Sequence, residues 1–217
     1  MDTLTKYTDA DKVAKILPYL QKKIRTPPDQ NHPWCAVFDV DDTLIINHPH
    51  KDEKCKVNPV VFPIVQFLHG ENVPLYIITA RHRTEKSLSF LKKQLDACGY
   101  DVENDFETPL YMVTQEYGAD RLSPGIFKYK ARRQLAQKHS ILLSAGDSWT
   151  DLTVVLDEED RDLLRSNPRV RIDGWEDALS EEDVEALAGD DDTVLFTHPD
   201  KFQHGLSALY LKLPRRP

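Results

Sequence analysis

Six side chains have the chemistry of metal ligands, general acids or phosphate binders. Five of them follow apolar runs, and the sixth, Lys128, heads the predicted helix before the last of these runs. The six are Asp39, Asp41, Thr79, Lys128, Asp147 and Asp151. Carboxylates gathered at one place repel one another, and a hard divalent cation among them relieves that repulsion. Oxygen ligands without His or Cys favour Mg²⁺ over zinc. Because such an ion also offsets the charge of a phosphate group, these residues predict magnesium-assisted phosphoryl transfer.

Four short apolar segments, separated by helical patterns, would bring these side chains together. The predicted strands are residues 34–38, 74–78, 110–113 and 141–145, and the predicted helices are residues 10–25, 59–70, 84–99 and 128–138. Alternating strands and helices predict a parallel sheet with right-handed crossovers and helices on both faces. The carboxyl ends of such strands share one edge, where we expect the site. The predicted fold class is α/β, a three-layer Rossmann-like sheet.

The rest of the chain is organised around this predicted core. Residues 193–196 and 206–213 are predicted as further strands, and residues 169–172 as a short exposed strand. We predict a single domain over residues 1–217. Its parts are a helical leader (1–30), a catalytic core (34–155), an acidic insertion (157–205) and a C-terminal strand and tail (206–217).

The negative charge of the chain is concentrated in one segment. Ten of the 36 acidic residues lie between Asp173 and Asp192 with no Lys or Arg among them, so the net charge of -8 becomes 28 - 26 = +2 for the remainder. A uniformly basic surface is therefore missing, and we do not expect a nucleic-acid partner. No apolar run approaches the roughly 18 residues of a membrane span, and the first residues lack the pattern of a signal peptide. These features predict a cytoplasmic protein without a membrane partner, and nothing indicates an oligomeric state.

The chain resembles the haloacid dehalogenase (HAD) superfamily in four motifs. The motif Asp39-Val40-Asp41-Asp42-Thr43 follows a predicted strand, Thr79 follows the next, Lys128 comes later, and Gly146-Asp147-Ser148-Trp149-Thr150-Asp151 completes the series. The match covers about residues 34 to 155. Lys128 with Arg132 four residues on, and the ending Leu211-Lys212-Leu213-Pro214, look most like the acid-phosphatase branch.

This resemblance implies a role for each residue. Asp39 would be the nucleophile that forms an aspartyl-phosphate, and Asp41 would protonate the leaving oxygen and then activate water. Thr79 and Lys128 would hold the transferring phosphoryl oxygens. Asp39, the backbone carbonyl of Asp41 and Asp147 would bind Mg²⁺, with Asp151 as a further ligand or as a residue that holds the others.

Several residues have a second interpretation. Lys130 competes with Lys128 for the phosphate-binding role, and Asp151 could cap the following helix. The basic run from Arg81 to Arg83 could bind substrate phosphate or could be a solvated helix start. Acids after a strand are also common as turn formers.

The resulting functional hypothesis is a Mg²⁺-dependent phosphatase that hydrolyses phosphate monoesters. Between Thr43 and Thr79 there is room for a hairpin flap in residues 44–57 but not for a large cap domain, so the cleft should be open to bulky phosphoesters. Residues 157–205 could cover the cleft or decorate the sheet edge. The alternatives are a nucleotide or nucleic-acid end phosphatase, phosphotransfer to an acceptor other than water, and a non-catalytic HAD-like binding module.

Overall fold

The computed structural model of the protein describes residues 2–26, 32–46, 56–108, 110–113, 123–166, 178–180, 182–183, 193–197 and 206–214. The helices in these ranges are α1 (Asp9–Ile24), α2 (Val61–Gly70), α3 (Glu85–Ala97), α4 (Val102–Asp105), α5 (Pro124–Ala136) and α6 (Glu158–Ser166). The strands are β1 (Asp2–Thr3), β2 (Trp34–Phe38), β3 (Ile45–Ile46), β4 (Lys56–Val57), β5 (Leu75–His82), β6 (Tyr111–Val113), β7 (Ser140–Gly146), β8 (Val194–Thr197) and β9 (Ser207–Lys212).

Seven of the described strands form one sheet in the order β1-β8-β9-β7-β2-β5-β6. From β9 to β6 every neighbouring pair is parallel, whereas β8 joins β9 antiparallel and β1 joins β8 antiparallel. In the centre, Phe38 of β2 is paired with Ile77 of β5 on one side and with Ala145 of β7 on the other. The carboxyl ends of these three strands therefore lie side by side.

Apolar side chains on both faces of the sheet pack against helices. On one face, Ala36 and Phe38 belong to a large core with residues of α1, α2 and α3, such as Ile16, Ile64 and Leu91. On the other face, the alternate β2 residues pack with Phe127, Ala131 and Leu135 of α5. Buried strands of this kind are apolar on both sides because helices cover both. The predicted α/β class, with a mostly parallel sheet and helices on both faces, is confirmed.

Two element boundaries differ from the prediction in ways that affect the site. Strand β5 does not end at Ile78 but continues through Thr79 to His82, with an irregular register against β6 between Thr79 and His82. Helix α5 begins at Pro124, four residues earlier than predicted, because the Ser123 side chain accepts a hydrogen bond from the Ile126 N–H (3.2 Å) and proline suits the first helical position. Lys128 therefore lies inside α5 rather than at its start.

Helix α2 is assigned from Val61, two residues after the predicted first position, Pro59. The Asn58 side chain accepts a hydrogen bond from the Val60 N–H (3.0 Å), and the Asn58 carbonyl accepts one from the Phe62 N–H (3.0 Å). Asn58 therefore makes the contacts of a helix cap, as predicted.

The regions outside the core also have described parts. Strands β3 and β4 pair antiparallel, as expected of a hairpin flap, and the described chain forms no large cap domain. Helix α6 and strand β8 lie within the predicted acidic insertion, and β8 belongs to the main sheet. The predicted strand at residues 169–172 and most of the ten-acid segment lie outside the described residues. Among the described helices, none has the length and apolar character needed to cross a bilayer.

Candidate active site

Asp39 lies directly after β2, between the ends of β5 and β7. Its backbone N–H donates a hydrogen bond to the Ala145 carbonyl of β7 (3.1 Å), which continues the strand pairing by one residue. Only 5% of its surface is exposed. Burial raises the pKa of the Asp39 carboxyl to about 8, Lys128 opposes the rise, and the neighbouring Asp151 adds to it.

Lys128 reaches Asp39 from α5, on the opposite side of the sheet from α1 and α2. Its Nζ donates to Asp39 Oδ1 (2.9 Å) and also to Asp151 Oδ1. Burial alone would lower the pKa of this ammonium group, but the carboxylates of Asp151 and Asp39 outweigh burial and raise it. Of the two candidate lysines, the structure places Lys128 beside both carboxylates.

The turn after β7 brings Asp147 and Asp151 to the same place. Residues Trp149–Asp151 form a single 3₁₀ turn, and Asp151 Oδ2 accepts a hydrogen bond from the Ser148 N–H (3.0 Å). A Cβ on residue 146 would collide with the Asp151 side chain, so only glycine fits there. Asp151 could also have been a helix cap. In the structure its side chain does make a capping hydrogen bond, but within the 3₁₀ turn to which it belongs rather than at the start of the following helix.

Arg132, one helical turn after Lys128, binds the backbone of the turn that follows β7. Its guanidinium donates to the backbone carbonyls of Asp151 (2.6 Å), Thr150 (3.0 Å) and Thr153 (3.1 Å). Burial lowers the pKa of Arg132 to about 10, so the group stays charged at neutral pH. Because they are four residues apart, Lys128 and Arg132 lie on the same face of α5. Arg132 holds the backbone of Asp151, and Lys128 contacts the carboxylate of the same residue.

Asp39, Asp147 and Asp151 form a group that fits a divalent cation. One carboxylate oxygen from each lies within 4.8 Å of the others, and all three are oxygen donors. With Lys128 protonated and the three carboxylates ionised, the formal charge of the group is +1 - 3 = -2. Because burial raises the pKa of Asp39, this carboxyl takes up a proton more readily than an ordinary Asp when no cation is bound, and metal binding would compete with that proton.

Thr79 lies one strand away from Asp39, in β5. Thr79 is buried, and its Oγ1 accepts a hydrogen bond from the Arg81 N–H (3.3 Å). The strand register places Thr79 two residues beyond Ile77, the partner of Phe38. This position at the sheet edge is compatible with its predicted role in holding a phosphoryl oxygen.

Asp41 does not join the acidic group through its side chain. Its two carboxylate oxygens accept hydrogen bonds from Arg81, from Nε (2.8 Å) and from Nη2 (2.6 Å), and Arg81 Nη1 donates to Gln94 Oε1 of α3 (2.8 Å). After Asp41 the chain turns sharply, because Asp42 has a left-handed backbone (φ 53°), which Asp tolerates better than most residues. The predicted contact of the Asp41 backbone carbonyl with the ion stays a prediction.

Gln94 is a site residue that the sequence does not reveal, and Arg81 is one whose role the sequence leaves open. The basic run from Arg81 to Arg83 could bind substrate phosphate or could be a solvated helix start, and the structure places Arg81 in β5, paired with Asp41. The available signal was its position two residues after Thr79, since residues two apart in a strand point to the same side. Gln94 lies on α3 and has no comparable signal in the sequence.

Comparison with known proteins gives a match in structure only. No protein-family model matches the chain, and no curated protein matches it in sequence. Two solved structures of the class C acid phosphatase from Bacillus anthracis, one of them with tungstate bound, match the structure with a TM-score of 0.52. This chain is folded like a class C acid phosphatase. The identity is 17%, and the match covers 74% of this chain and 71% of the other, so the comparison establishes the fold. At that level it agrees with the acid-phosphatase-like resemblance of the sequence motifs.

Proposed function

We propose that this protein is a Mg²⁺-dependent phosphatase that hydrolyses phosphate monoesters through an aspartyl-phosphate on Asp39. The observation that carries the proposal is the buried contact between Asp39 and Lys128 (2.9 Å) beside Asp147 and Asp151. A carboxylate, an ammonium group and two further carboxylates at the carboxyl edge of a parallel sheet are what in-line phosphoryl transfer requires. The fold shared with an acid phosphatase, one structure of which holds the tetrahedral oxyanion tungstate, supports the same class of reaction.

The proposed reaction has two displacement steps. In the first, an Asp39 oxygen attacks phosphorus, the bond between phosphorus and the ester oxygen breaks, and the leaving oxygen takes a proton from the Asp41 carboxyl. In the second step, a water molecule gives a proton to the Asp41 carboxylate, and the oxygen of that water attacks phosphorus. The bond from phosphorus to Asp39 breaks, which releases inorganic phosphate and restores the Asp39 carboxylate, while Asp41 is again protonated.

Lys128 and Thr79 would stabilise the transferring group. Lys128 holds Asp39 in place before the reaction and is close enough to contact a phosphoryl oxygen once that group is bound to Asp39. Thr79, on the neighbouring strand, would donate its hydroxyl to a second oxygen. Asp39, Asp147 and Asp151 would hold Mg²⁺, and a bound ion supplies positive charge that offsets the negative charge of the phosphoryl group.

The rival functions have less support from the described residues. A nucleic-acid end phosphatase would hold several phosphates on a basic surface, but outside the ten-acid segment the net charge of the chain is only 28 - 26 = +2. A non-catalytic binding module would not need the four carboxylates, the lysine and the threonine that the chain retains. We therefore propose a phosphorylated small molecule or macromolecule as the substrate and water as the acceptor.

The proposal is tested by assaying a panel of phosphoesters with and without Mg²⁺, together with the Asp147→Asn variant. Free Mg²⁺ at about 100 times its Kd should stabilise the wild-type protein by about 2.7 kcal/mol, or roughly 5–10 °C in Tm for a domain of this size. In Asp147→Asn we expect an unchanged or higher Tm without Mg²⁺, because carboxylate repulsion falls, and a much smaller rise with it. Hydrolysis by the wild type should likewise require Mg²⁺, and at the same Mg²⁺ concentration Asp147→Asn should hydrolyse the phosphoesters more slowly.

Glu71→Gln is the matched control, because Glu71 is exposed and follows α2 at the opposite end of the sheet. It removes one negative charge without touching the acidic group, so its response to Mg²⁺ should equal that of the wild type. Phosphatase activity that persists in a chelator, combined with a Tm that does not respond to Mg²⁺, would contradict the metal-dependent proposal.

A further inference from the structure

The contact between Asp41 and Arg81 is in conflict with the role proposed for Asp41. A general acid must approach the leaving oxygen, yet both Asp41 oxygens accept hydrogen bonds from the Arg81 fork (2.8 and 2.6 Å). Bidentate pairs between arginine and carboxylate are among the stronger charged hydrogen bonds of proteins. Asp41 can therefore serve the ester oxygen only when the fork is given another partner.

Arg81 is held so that it can change partners without moving away. Its Nη1 donates to Gln94 Oε1 (2.8 Å), and Gln94 lies on α3 rather than on the strand that carries Arg81. The side chains of Arg81 and Asp41 are 21% and 41% exposed, whereas those of Asp39 and Lys128 are 5% and 8% exposed. The Arg81–Asp41 pair is thus the solvent-facing part of the site, on the side where the substrate's leaving group would lie.

We propose that Arg81 is a specificity-determining residue that binds an anionic group, a carboxylate or a second phosphate, placed near the ester oxygen of the substrate. This inference rests on the proposed phosphatase function and names its substrate class. The substrate anion replaces Asp41 in the Arg81 fork, so the guanidinium stays paired throughout. The displaced Asp41 carboxylate takes up a proton from solvent and can then give it to the leaving oxygen, whereas a substrate without the anion leaves Asp41 paired with Arg81.

The test compares two matched pairs of substrates. The first pair is 2-phospholactate and its neutral amide, and the second is propane-1,2-diol bisphosphate and the corresponding monophosphate. In the wild type, kcat/KM should favour the anionic member by about tenfold or more, the range expected for a hydrogen bond between charged groups. The first pair reports a carboxylate and the second a phosphate, so the two sources of the anion are distinguished. Because the freed Asp41 acts in the chemical step, we expect the preference in kcat as well as in KM.

Arg81→Gln should bring the anionic preference of both pairs close to one. Arg81→Lys keeps the positive charge but loses the two parallel N–H donors, so it should retain only part of the preference for the anionic substrate. Gln94→Leu removes the acceptor that holds Arg81 Nη1 and should also reduce this preference. Arg83→Gln is the matched control, because Arg83 is exposed on the same segment and its loss changes the net charge equally. Its preference should equal that of the wild type. The Lys and Leu variants keep the test informative if Arg81→Gln fails to fold.

Failure of this inference differs from failure of the proposed function. A wild-type protein that hydrolyses no member of either pair, with Mg²⁺ present, overturns the proposed function and this inference with it. A wild-type protein that hydrolyses both members of each pair equally well, or an Arg81→Gln variant that keeps the wild-type preference, overturns the role of Arg81 alone.

Discussion

Replacing Asp39 with Asn should leave a folded protein whose hydrolysis of a simple aryl phosphate is at least about 1,000-fold slower, a loss of ~4 kcal/mol in transition-state stabilisation. The amide matches the carboxylate in size but cannot form the acyl-phosphate, so the first displacement is lost. Burial already raises the pKa of Asp39, which means that its ionised form is costly in the apo protein. We therefore expect the Tm of the variant without Mg²⁺ to equal or exceed that of the wild type.

Asp42→Asn controls for the loss of an acidic group within the same motif. Asp42 has a left-handed backbone that Asn also adopts readily, so the turn after Asp41 should persist. Activity within a few-fold of the wild type is expected there. An Asp39→Asn protein with activity within tenfold of the wild type, measured after removal of any deamidated material, would contradict the assignment of the nucleophile.

Replacing Lys128 with Met should have the largest effect on stability. Lys128 is the cation that contacts both Asp39 and Asp151, all three being buried, and its removal leaves two carboxylates without that partner. Breaking a buried ion pair by removing one member costs about 3–5 kcal/mol, which is roughly 6–20 °C in Tm for a domain of this size. Phosphatase activity should fall as well, because the phosphoryl oxygens lose their contact.

A double variant separates the electrostatic effect from lost packing. If the cost comes from uncompensated charge, Asp39→Asn combined with Lys128→Met should be more stable than Lys128→Met alone. Lys130→Met, two residues along the same helix and half-buried, should change Tm by little. A Lys128→Met protein that melts within about 2 °C of the wild type in a chelator, less than the shift for one kcal/mol, would refute the argument.

The sheet and its acidic edge could be predicted because their signals are local. Each core strand is a short continuous apolar run, typical of a strand covered on both faces, and polar residues follow it. Parallel strands then bring Asp39 and Asp147 together whatever the details of the loops. Lys128 could be predicted through the motif resemblance, and its contact with Asp39 depends on a helix that packs across the sheet.

The Arg81–Asp41 pair could not be predicted because it depends on contacts distant in sequence. The two residues are 40 positions apart, and they meet only because β5 continues beyond Ile78. The apolar run ends at Ile78, so hydrophobicity alone places the strand end too early.

The flap and the acidic segment bear on substrate access rather than on the chemistry. Strands β3 and β4 form the base of the hairpin predicted between residues 44 and 57. The described part of the segment 157–205 includes α6 and β8, and β8 extends the sheet on the β9 side, away from β5 and β6. Whether this segment covers the cleft stays a prediction, because most of its acidic residues lie outside the described ranges.

The central claim is that Asp39 becomes phosphorylated during turnover, and trapping the phosphoenzyme tests it most directly. Asp41→Asn should slow the attack of water on the intermediate, so mixing this variant with Mg²⁺ and a reactive aryl phosphate, followed by acid quench and peptide mass spectrometry, should show one added phosphoryl group. The account predicts that this group lies on Asp39 and is absent from an Asp39→Asn, Asp41→Asn double variant. Turnover by the wild type with no phosphorylated peptide in Asp41→Asn, or phosphorylation at a residue other than Asp39, would contradict it.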